Sequence, residues 1–356
     1  MSRVRDIANI LSGGSSAIAT DAEITSASAY IPANVAGKNY VINGGFDVWQ
    51  RGTSLSGAAN GTYTADRWSN GRTGQAMTIS RQLTGDSTNL AHIQYCARIQ
   101  RDSGNTGTLP GYIVQAIETS NSIQLAGKTV TLSFYARAGS NFSTSGTAIV
   151  ASLYTGTGSD QNPWNGYTGT ANPNNLAPTL TTTWQRFSFT ATLSSTASEI
   201  LVQYGFTPTG TAGVNDYFEI TGVQLEVGSV ATPFSRAGGT IQGELAACQR
   251  YYWRAGGNTI YEEISTSALA EGSLVLFFIK NPVTMRSAPS SVEWSTLMVY
   301  DGVGITAINS GSLSSFSTKN MSRFNATPAS APTSYRSYTL FTNNSENGYI
   351  AFSSEI

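Results

Sequence analysis

The stretch that decides the fold class is TVTLSFYA, residues 129–136, in which every second side chain is apolar. A period of two is typical of a β-strand that buries one face and leaves the other polar. Residues 187–193 and 223–227 repeat this alternation. Because no helical periodicity longer than about two turns occurs from residue 37 to residue 242, the sequence predicts an all-β protein.

The composition fits this class and excludes several others. Charged residues make up 12% of the chain, about half the usual share of roughly 25%. Hydrophobic residues reach 40%, which is too many for a disordered chain. The net charge of −1, without any Lys/Arg cluster, predicts that the chain binds no nucleic acid. No apolar run approaches the roughly 18 residues that span a bilayer, so no membrane insertion is predicted.

The cysteine spacing indicates a reducing compartment. Cys96 and Cys248 lie far apart, match no metal-binding spacing, and are too few for a disulfide framework in a chain of this length. We therefore expect both to be small buried residues, in a protein that is assembled in a cytoplasm.

Four segments carry a more specific signal. Residues 39–53 read NYVINGGFDVWQRGT, followed by YTADRW at 63–68, VQLEVGSVATPF at 223–234 and ELAACQRYY at 244–252. In this order the segments resemble a β-sandwich module of bacteriophage tail-fibre and tail proteins. That module is similar to the jelly-roll carbohydrate-binding modules of polysaccharide-degrading enzymes.

The resemblance and the patterning together predict three parts. A jelly-roll β-sandwich resembling a carbohydrate-binding module occupies residues 37–242. A smaller, distal β-rich domain occupies residues 243–356. Residues 1–36 form a short helical or extended segment. This segment is either a flexible leader or an anchor for other virion proteins, with its apolar side chains spaced along one helix face at Val4, Ile7 and Leu11.

The prediction divides other segments between loops and strands. Residues 155–183 are rich in Gly, Asn, Pro and Thr, with no strand longer than a few residues expected, and residues 302–334 also look like a loop. The apolar run 274–279 predicts a buried strand. Residues 338–342 and 349–352 predict two closing strands.

The resemblance implies a host-surface glycan as ligand, and two groups of residues are candidates to bind it. Exposed aromatic rings stack on sugar faces, and an Asn amide offers both a donor and an acceptor. The alternative is that both groups belong to merely solvated loops. The groups are Trp164, Asn165 and Tyr167 in the long loop, and Tyr300, Asp301 and Asn309 in the distal domain.

The residues of the resemblance motif have two interpretations. One is a sugar-binding group made by a carboxylate beside a guanidinium and an indole. The stronger interpretation is structural, with the tryptophans in the core, an arginine paired with the aspartate, and the last arginine at a domain interface. These residues are Trp49, Arg51, Asp66, Arg67, Trp68 and Arg250.

No catalytic residue is predicted. His92, the single histidine, lies in a predicted strand, so neither a Ser–His–acid triad nor a two-histidine metal site can be built. Two carboxylates suffice for glycoside hydrolysis, but sequence spacing does not bring candidates such as Glu118 and Glu219 together. The repeat-built β-helix of phage depolymerases is also absent from the sequence. We therefore predict that the protein is not an enzyme.

No cofactor or metal is predicted. The resemblance implies a structural calcium near the first and last strands, for which Asp47 and Asp216 are candidate oxygen ligands. However, Thr221-Gly222 stands where the related modules often place acidic residues, so calcium is left out of the prediction.

The sequence as a whole predicts a phage tail fibre, a virion structural protein that is assembled in the host cytoplasm and attaches to a host-surface glycan. The resemblance implies a homotrimer joined to other tail proteins through its N-terminus. Several weak sugar sites then act together through effective concentration. Two alternatives stay open: a non-enzymatic structural adaptor or decoration protein without a glycan site, and a small glycan hydrolase or esterase.

Overall fold

The computed structural model describes residues 36–72 and 77–356. The predicted anchor residues Val4, Ile7 and Leu11 lie outside the described residues. The described chain forms two β-rich units, joined by the helix α2 (Ile241–Gln249). The predicted boundary between residues 242 and 243 falls within α2, and the division into domains stays a prediction.

The first unit is a sandwich of two antiparallel sheets. A helix of one turn, α1 (Thr119–Ser122), follows its fifth strand. The strands are β1 (Ser54–Ser56), β2 (Ser69–Arg72), β3 (Met77–Leu83), β4 (Tyr95–Arg101), β5 (Gly111–Ile117), β6 (Thr129–Ala138), β7 (Val150–Gly156), β8 (Ala171–Leu176), β9 (Gln185–Thr192), β10 (Glu199–Phe206) and β11 (Tyr217–Val227). The sheet orders are β1-β3-β4-β11-β6-β9 and β2-β5-β10-β7-β8.

The alternating residues form this sandwich because each strand turns one row of side chains inward. Val130, Leu132 and Phe134 of β6 are buried in the core shared by the two sheets. β6 lies between β9 and β11, and Phe134 is paired with Phe187 across the ladder. The prediction of an all-β fold with a β-sandwich is thereby confirmed.

The second unit contains a three-stranded and a seven-stranded sheet around its own core. Their orders are β12-β21-β16 and β13-β20-β17-β18-β19-β15-β14. The strands are β12 (Tyr252–Gly256), β13 (Glu263–Ser265), β14 (Ala268–Glu271), β15 (Leu274–Lys280), β16 (Ser291–Ser295), β17 (Leu297–Tyr300), β18 (Ile305–Leu313), β19 (Met321–Pro328), β20 (Thr339–Thr342) and β21 (Tyr349–Ser353). The predicted strands at 274–279, 338–342 and 349–352 are thus confirmed as β15, β20 and β21.

Three of the sequence predictions are wrong at the level of single elements. The segment 302–334 contains β18 and β19, and the segment 155–183 contains β8. β8 and β18 expose most of their side chains, so they pair through their backbones without an alternating apolar signal. His92 lies in a turn, and the strand predicted there begins only at Tyr95.

One ion pair is sealed inside the first unit. Arg101 of β4 and Asp216 are both completely buried, with 2.8 Å between Nη1 and Oδ2. The arginine also donates to the Ser143 hydroxyl and to three backbone carbonyls, those of Asn105, Gly107 and Gly210. One guanidinium therefore ties together several connections at one end of the sandwich.

We expect Asp216→Asn to lower the free energy of unfolding by about 3–5 kcal/mol, because it leaves the buried Arg101 charge without its counter-charge. Urea denaturation measures this change. The matched control is Glu271→Gln at an exposed strand end, which should leave the denaturation midpoint unchanged. An equally small effect of both substitutions would contradict a stabilising role of the buried Arg101–Asp216 ion pair.

Candidate functional site

The outer face of the five-stranded sheet carries an unusual number of aromatic side chains. Along β5, Ile113 and Ile117 point into the sandwich core, so the alternate residues Tyr112, Val114 and Ala116 point outward. Tyr112, Tyr154, Trp164 and Tyr167 pack there, half-buried, against Val114, Ala116 and Leu201. We name the surface formed by these four rings the ring face.

Glycines in the strands give the rings their positions. Gly71 of β2 and Gly205 of β10 both lie directly opposite Tyr112 on β5, so the three form one row across the sheet. A Cβ on Gly71 would lie 2.3 Å from the Trp164 ring, and one on Gly205 would lie 2.7 Å from the Tyr112 ring. The missing side chains therefore let both rings lie close to the sheet.

A second row crosses the sheet four residues away along β10. It consists of Ala116, Leu201 and Tyr154, which are directly paired across β5, β10 and β7. Because a strand rises about 3.4 Å per residue, the two rows lie roughly 13 Å apart. The ring face is thus an extended surface and not a single pocket.

Two of the four rings come from one loop, residues 157–170, which we call the ring loop. Glu199 of β10 accepts hydrogen bonds from the backbone N–H groups of Gly158 (3.1 Å) and Gln161 (2.5 Å). The Asn162 side chain accepts from the Trp164 N–H at 2.9 Å and so caps a short 3-10 turn. The ring loop is therefore held by Glu199 of β10 and by Asn162, one of its own side chains.

The polar edges of the four rings have no hydrogen-bond partner in the described part of the chain. Among the described residues, no group hydrogen-bonds to the hydroxyls of the three tyrosines, to the Trp164 indole N–H or to the Gln203 amide. Gln203 shares the outer side of β10 with Leu201 and is half-buried. Burial raises the pKa of Tyr167 and, more weakly, that of Tyr112, so both phenols keep their protons near neutral pH. These groups are free to donate to a ligand.

The structure brings together two of the residues that the sequence proposed for the long loop. Trp164 and Tyr167 both lie on the ring face, while Asn165 is exposed beside them. Sequence reasoning missed Tyr112, Tyr154 and Gln203. Glycines within strands at 71 and 205 were the available signal, since such glycines often mark a close approach to the backbone.

The distal candidates lie in the second unit, away from the ring loop in the chain. Tyr300 ends β17, and Asp301 follows it in a turn. Asp301 accepts hydrogen bonds from the N–H groups of Gly304 and Val303 and pairs with Arg336. The two backbone hydrogen bonds, followed by the contact with Arg336, lower the Asp301 pKa to about 2. Asn309 is exposed at a bulge of β18. The Asp301 carboxylate is thus already occupied by its own turn and by Arg336.

The motif arginines lie at the junction between the two units. Arg67 is fully buried, pairs with Glu355, and stacks its guanidinium 3.6 Å above the Tyr251 ring. Burial alone would lower the pKa of Arg67, but Glu355 raises it above its ordinary value. Arg51 also pairs with Glu355, at 3.4 Å, and stacks on Tyr252. Both arginines therefore pair with Glu355, whereas we expected one of them to pair with Asp66.

The remaining motif residues hold the fold around that junction. Trp68 is fully buried and Trp49 nearly so. Asp66 accepts hydrogen bonds from the backbone and side-chain amides of Gln50, and its burial raises its pKa. Arg250 pairs with Glu118, which also accepts from the Tyr251 hydroxyl. This geometry supports the structural interpretation of the motif.

The candidate calcium ligands do not fit a cation. Asp47 is bound through both oxygens by Arg236, at 2.8 and 3.1 Å, and Asp216 is bound by Arg101. A guanidinium that already neutralises each carboxylate leaves no charge for Ca²⁺ to balance. Within residues 36–72 and 77–356, no cluster of three or more His, Cys, Asp or Glu side chains forms a metal site.

A cleft of about 590 Å³ is lined by residues 83–87 and 90–94 and by Arg236. Its acidic group, Asp86, accepts from the N–H groups of Thr88 and Asn89 of its own turn, and Arg236 is held by Asp47. The charged groups of this cleft are therefore engaged internally. The hydroxyl and indole N–H groups of the ring face have no partner among the described residues, so we take the ring face as the candidate site.

Both cysteines are buried free thiols, as the sequence predicted. Burial raises the pKa of each thiol, so neither is a reactive thiolate. In the part of the chain that the structure describes, no helix has the length and apolarity to cross a bilayer.

No protein-family model matches the sequence, and no curated protein matches it. Among solved structures, the chain is similar to the enzymatically active domain of bacteriophage CBA120 tailspike protein 4, with a TM-score of 0.34 and 14% identity. That match covers 53% of this chain and 21% of the tailspike chain.

Two further structures show the same level of likeness. A carbohydrate-binding module, CBM4, matches with a TM-score of 0.30 and 23% identity over 52% of this chain and 98% of its own. A cyclase from Fischerella sp. TAU matches with a TM-score of 0.34 and 12% identity over 53% of this chain and 96% of its own. Similarity at this level does not indicate a function, so the geometry of the chain itself is the basis for the proposed function.

We expect Gly71→Ala to displace the Trp164 ring, because the added Cβ would lie 2.3 Å from it. Hydroxyl-radical footprinting should then show faster oxidation of Trp164 than in the wild type. Gly304→Ala is the matched control, since a Cβ there meets no atom within 4 Å. Equal oxidation of Trp164 in all three proteins would contradict the seating of this ring.

We expect the thermal midpoint of Glu118→Gln to fall less steeply than that of the wild type as the pH is lowered. Burial would raise the Glu118 pKa, but the hydrogen bonds from Arg250 and Tyr251 outweigh it and lower the pKa. Glu118 thus contributes stability above its unfolded-state pKa, which is about 4.3, and this contribution disappears as pH falls through the lower folded-state pKa. Thermal midpoints measured from pH 6 downward should fall less steeply in the variant, and parallel curves would contradict this role.

Proposed function

We propose that this protein is a non-enzymatic, glycan-binding protein of a bacteriophage tail, which holds a sugar chain on its ring face. The observation that supports the proposal is the set of four half-buried rings whose hydroxyl and indole N–H groups have no partner among the described residues. Such a surface combines apolar faces for stacking with donors at their edges.

The chemistry of this face suits a sugar better than an apolar ligand. A pyranose presents C–H groups on its faces and hydroxyls around its rim. Trp164 and Tyr112 supply flat apolar surfaces, while the Gln203 amide supplies both a donor and an acceptor. The two rows across the sheet, roughly 13 Å apart, suit several linked sugars better than one.

We propose binding without cleavage because the carboxylates near the ring face already accept hydrogen bonds or form ion pairs within the protein. Glu199 is 2% exposed and accepts the two N–H groups of the ring loop. Asp160 accepts from the Thr119 N–H and pairs with Arg286. A glycosidase needs one carboxyl group to donate a proton and another to act as base or nucleophile, and neither of these groups is free for that work.

The setting in a virion is supported by the resemblance of residues 39–53 to tail-fibre proteins. In this proposal the chain is assembled in the host cytoplasm and joins other tail proteins through residues 1–36. A homotrimeric fibre presents three ring faces, and several fibres on one particle raise the effective concentration of the sites. Weak single-site binding then becomes firm attachment to the host-surface glycan.

We expect Trp164→Ala and Tyr112→Ala each to weaken binding of the full-length protein to host surface polysaccharide by more than about 2 kcal/mol, roughly 30-fold in Kd, because aromatic side chains dominate such contacts. Titration calorimetry measures the affinity. Tyr335→Ala is the control, since Tyr335 is a 98% exposed tyrosine of the second unit.

Three outcomes would contradict the proposal. Full affinity in both ring-face variants would place any glycan elsewhere. Absence of saturable binding by the wild type, together with loss of particle incorporation on deleting residues 1–36, would favour a structural adaptor. Release of reducing sugar from the polysaccharide would show a hydrolase.

A further inference from the structure

One guanidinium of the second unit contacts two segments that adjoin the ring face, the ring loop and the segment of residues 354–356. The Arg286 Nη1 lies 2.9 Å from Oδ2 of Asp160 in the ring loop. Its Nε and Nη2 donate to the backbone oxygens of Ser354 (2.8 Å) and Glu355 (3.1 Å). The Arg286 side chain is largely buried, with 16% of its surface exposed.

The contact with Asp160 fixes the beginning of the ring loop. Asp160 adopts a left-handed backbone with φ of 47°, which a residue other than glycine seldom takes. Its side chain also accepts from the Thr119 N–H, and its own N–H donates to the Thr119 hydroxyl, both at 2.8 Å. Trp164 follows four residues later, so a shift of Asp160 moves the segment that carries this ring.

The contacts with Ser354 and Glu355 hold the segment that leads to Ile356. Ile356 packs on the ring face with Tyr112, Trp164 and Tyr167. One of its backbone oxygens accepts from the Tyr63 hydroxyl at 3.1 Å, and burial raises the pKa of Tyr63 to about 12. Without the two Arg286 contacts, this segment keeps fewer restraints next to the rings.

We infer that Arg286 is a positioning residue for the ring face, through which the second unit sets the geometry of a site that lies on the first. This inference rests on the proposed function, because it names a determinant of the same site. Arg286 itself touches no sugar, and it acts through Asp160 and through residues 354–356. The two units then form one binding element, and the second unit is more than a distal extension.

The test compares Arg286→Gln, Asp160→Asn and the double variant in the full-length protein. The readouts are the Kd for host surface polysaccharide, the thermal midpoint, and hydrogen exchange of residues 157–170 without glycan. Arg236→Gln is the matched control, because Arg236 is exposed to a similar degree, 18%, and pairs with Asp47 outside the ring face.

We expect each single variant to weaken binding about fivefold or more, the size of a typical coupling between sites. The double variant should lose less affinity than the two single losses combined, since both substitutions remove the contact between Arg286 and Asp160. Hydrogen exchange in the ring loop should be faster in Arg286→Gln. Arg236→Gln should keep the wild-type Kd and ring-loop exchange even where its thermal midpoint falls.

Wild-type affinity in Arg286→Gln, additive losses in the double variant, or unchanged exchange of the ring loop would each overturn the inference. Failure of the proposed function looks different, because the wild type itself would then show no saturable binding. In that case the exchange measurement decides alone: faster exchange in Arg286→Gln supports the positioning role, and unchanged exchange refutes it.

Discussion

The arrangement of this protein depends on one constraint: a β-strand sends successive side chains to opposite faces of its sheet. In the five-stranded sheet, one row of apolar side chains therefore fills the sandwich core while the other row faces outward. An apolar row on the outer face of a sheet is stabilised when other residues shield it from water. Here the ring loop and Ile356 shield it in part, and they leave the aromatic edges accessible.

Charge plays a different role, because few charged residues are present and many of those described are buried in pairs. Arg101–Asp216 closes one end of the sandwich, Arg67–Glu355 joins the two units, and Glu199 holds the ring loop. Removing an ion from water is costly unless a partner and further hydrogen bonds compensate. These buried charged side chains thus hold loops and units in place, which the backbone hydrogen bonds of the strands alone would not do.

The fold class could be predicted from the sequence because β6, β9 and residues 223–227 of β11 alternate between apolar and polar side chains. β8 and β18 could not be predicted, because their mostly exposed side chains do not alternate between apolar and polar. Backbone hydrogen bonds to the neighbouring strands hold them in the sheets. Trp164 and Tyr167 stood out in the sequence as aromatic residues in a polar loop. Tyr112 and Gln203 did not, because only strand pairing places them beside that loop.

The long-range ion pairs were beyond the reach of sequence patterns for a similar reason. Asp66 adjoins Arg67 in the chain and suggested a local pair, yet the partner of Arg67 is Glu355. The same holds for Asp160 and Arg286, which lie in different units. The spacing of residues in the sequence does not predict ion pairs that form only where the two units pack together.

The most direct test of the central claim is a crystal structure of the full chain with an oligosaccharide from the host surface polysaccharide. We predict sugar rings stacked on Trp164 and Tyr112, with hydroxyls bonded to the Gln203 amide. An oligosaccharide bound instead at the distal candidates Tyr300, Asp301 and Asn309, with the ring face empty, would contradict the account.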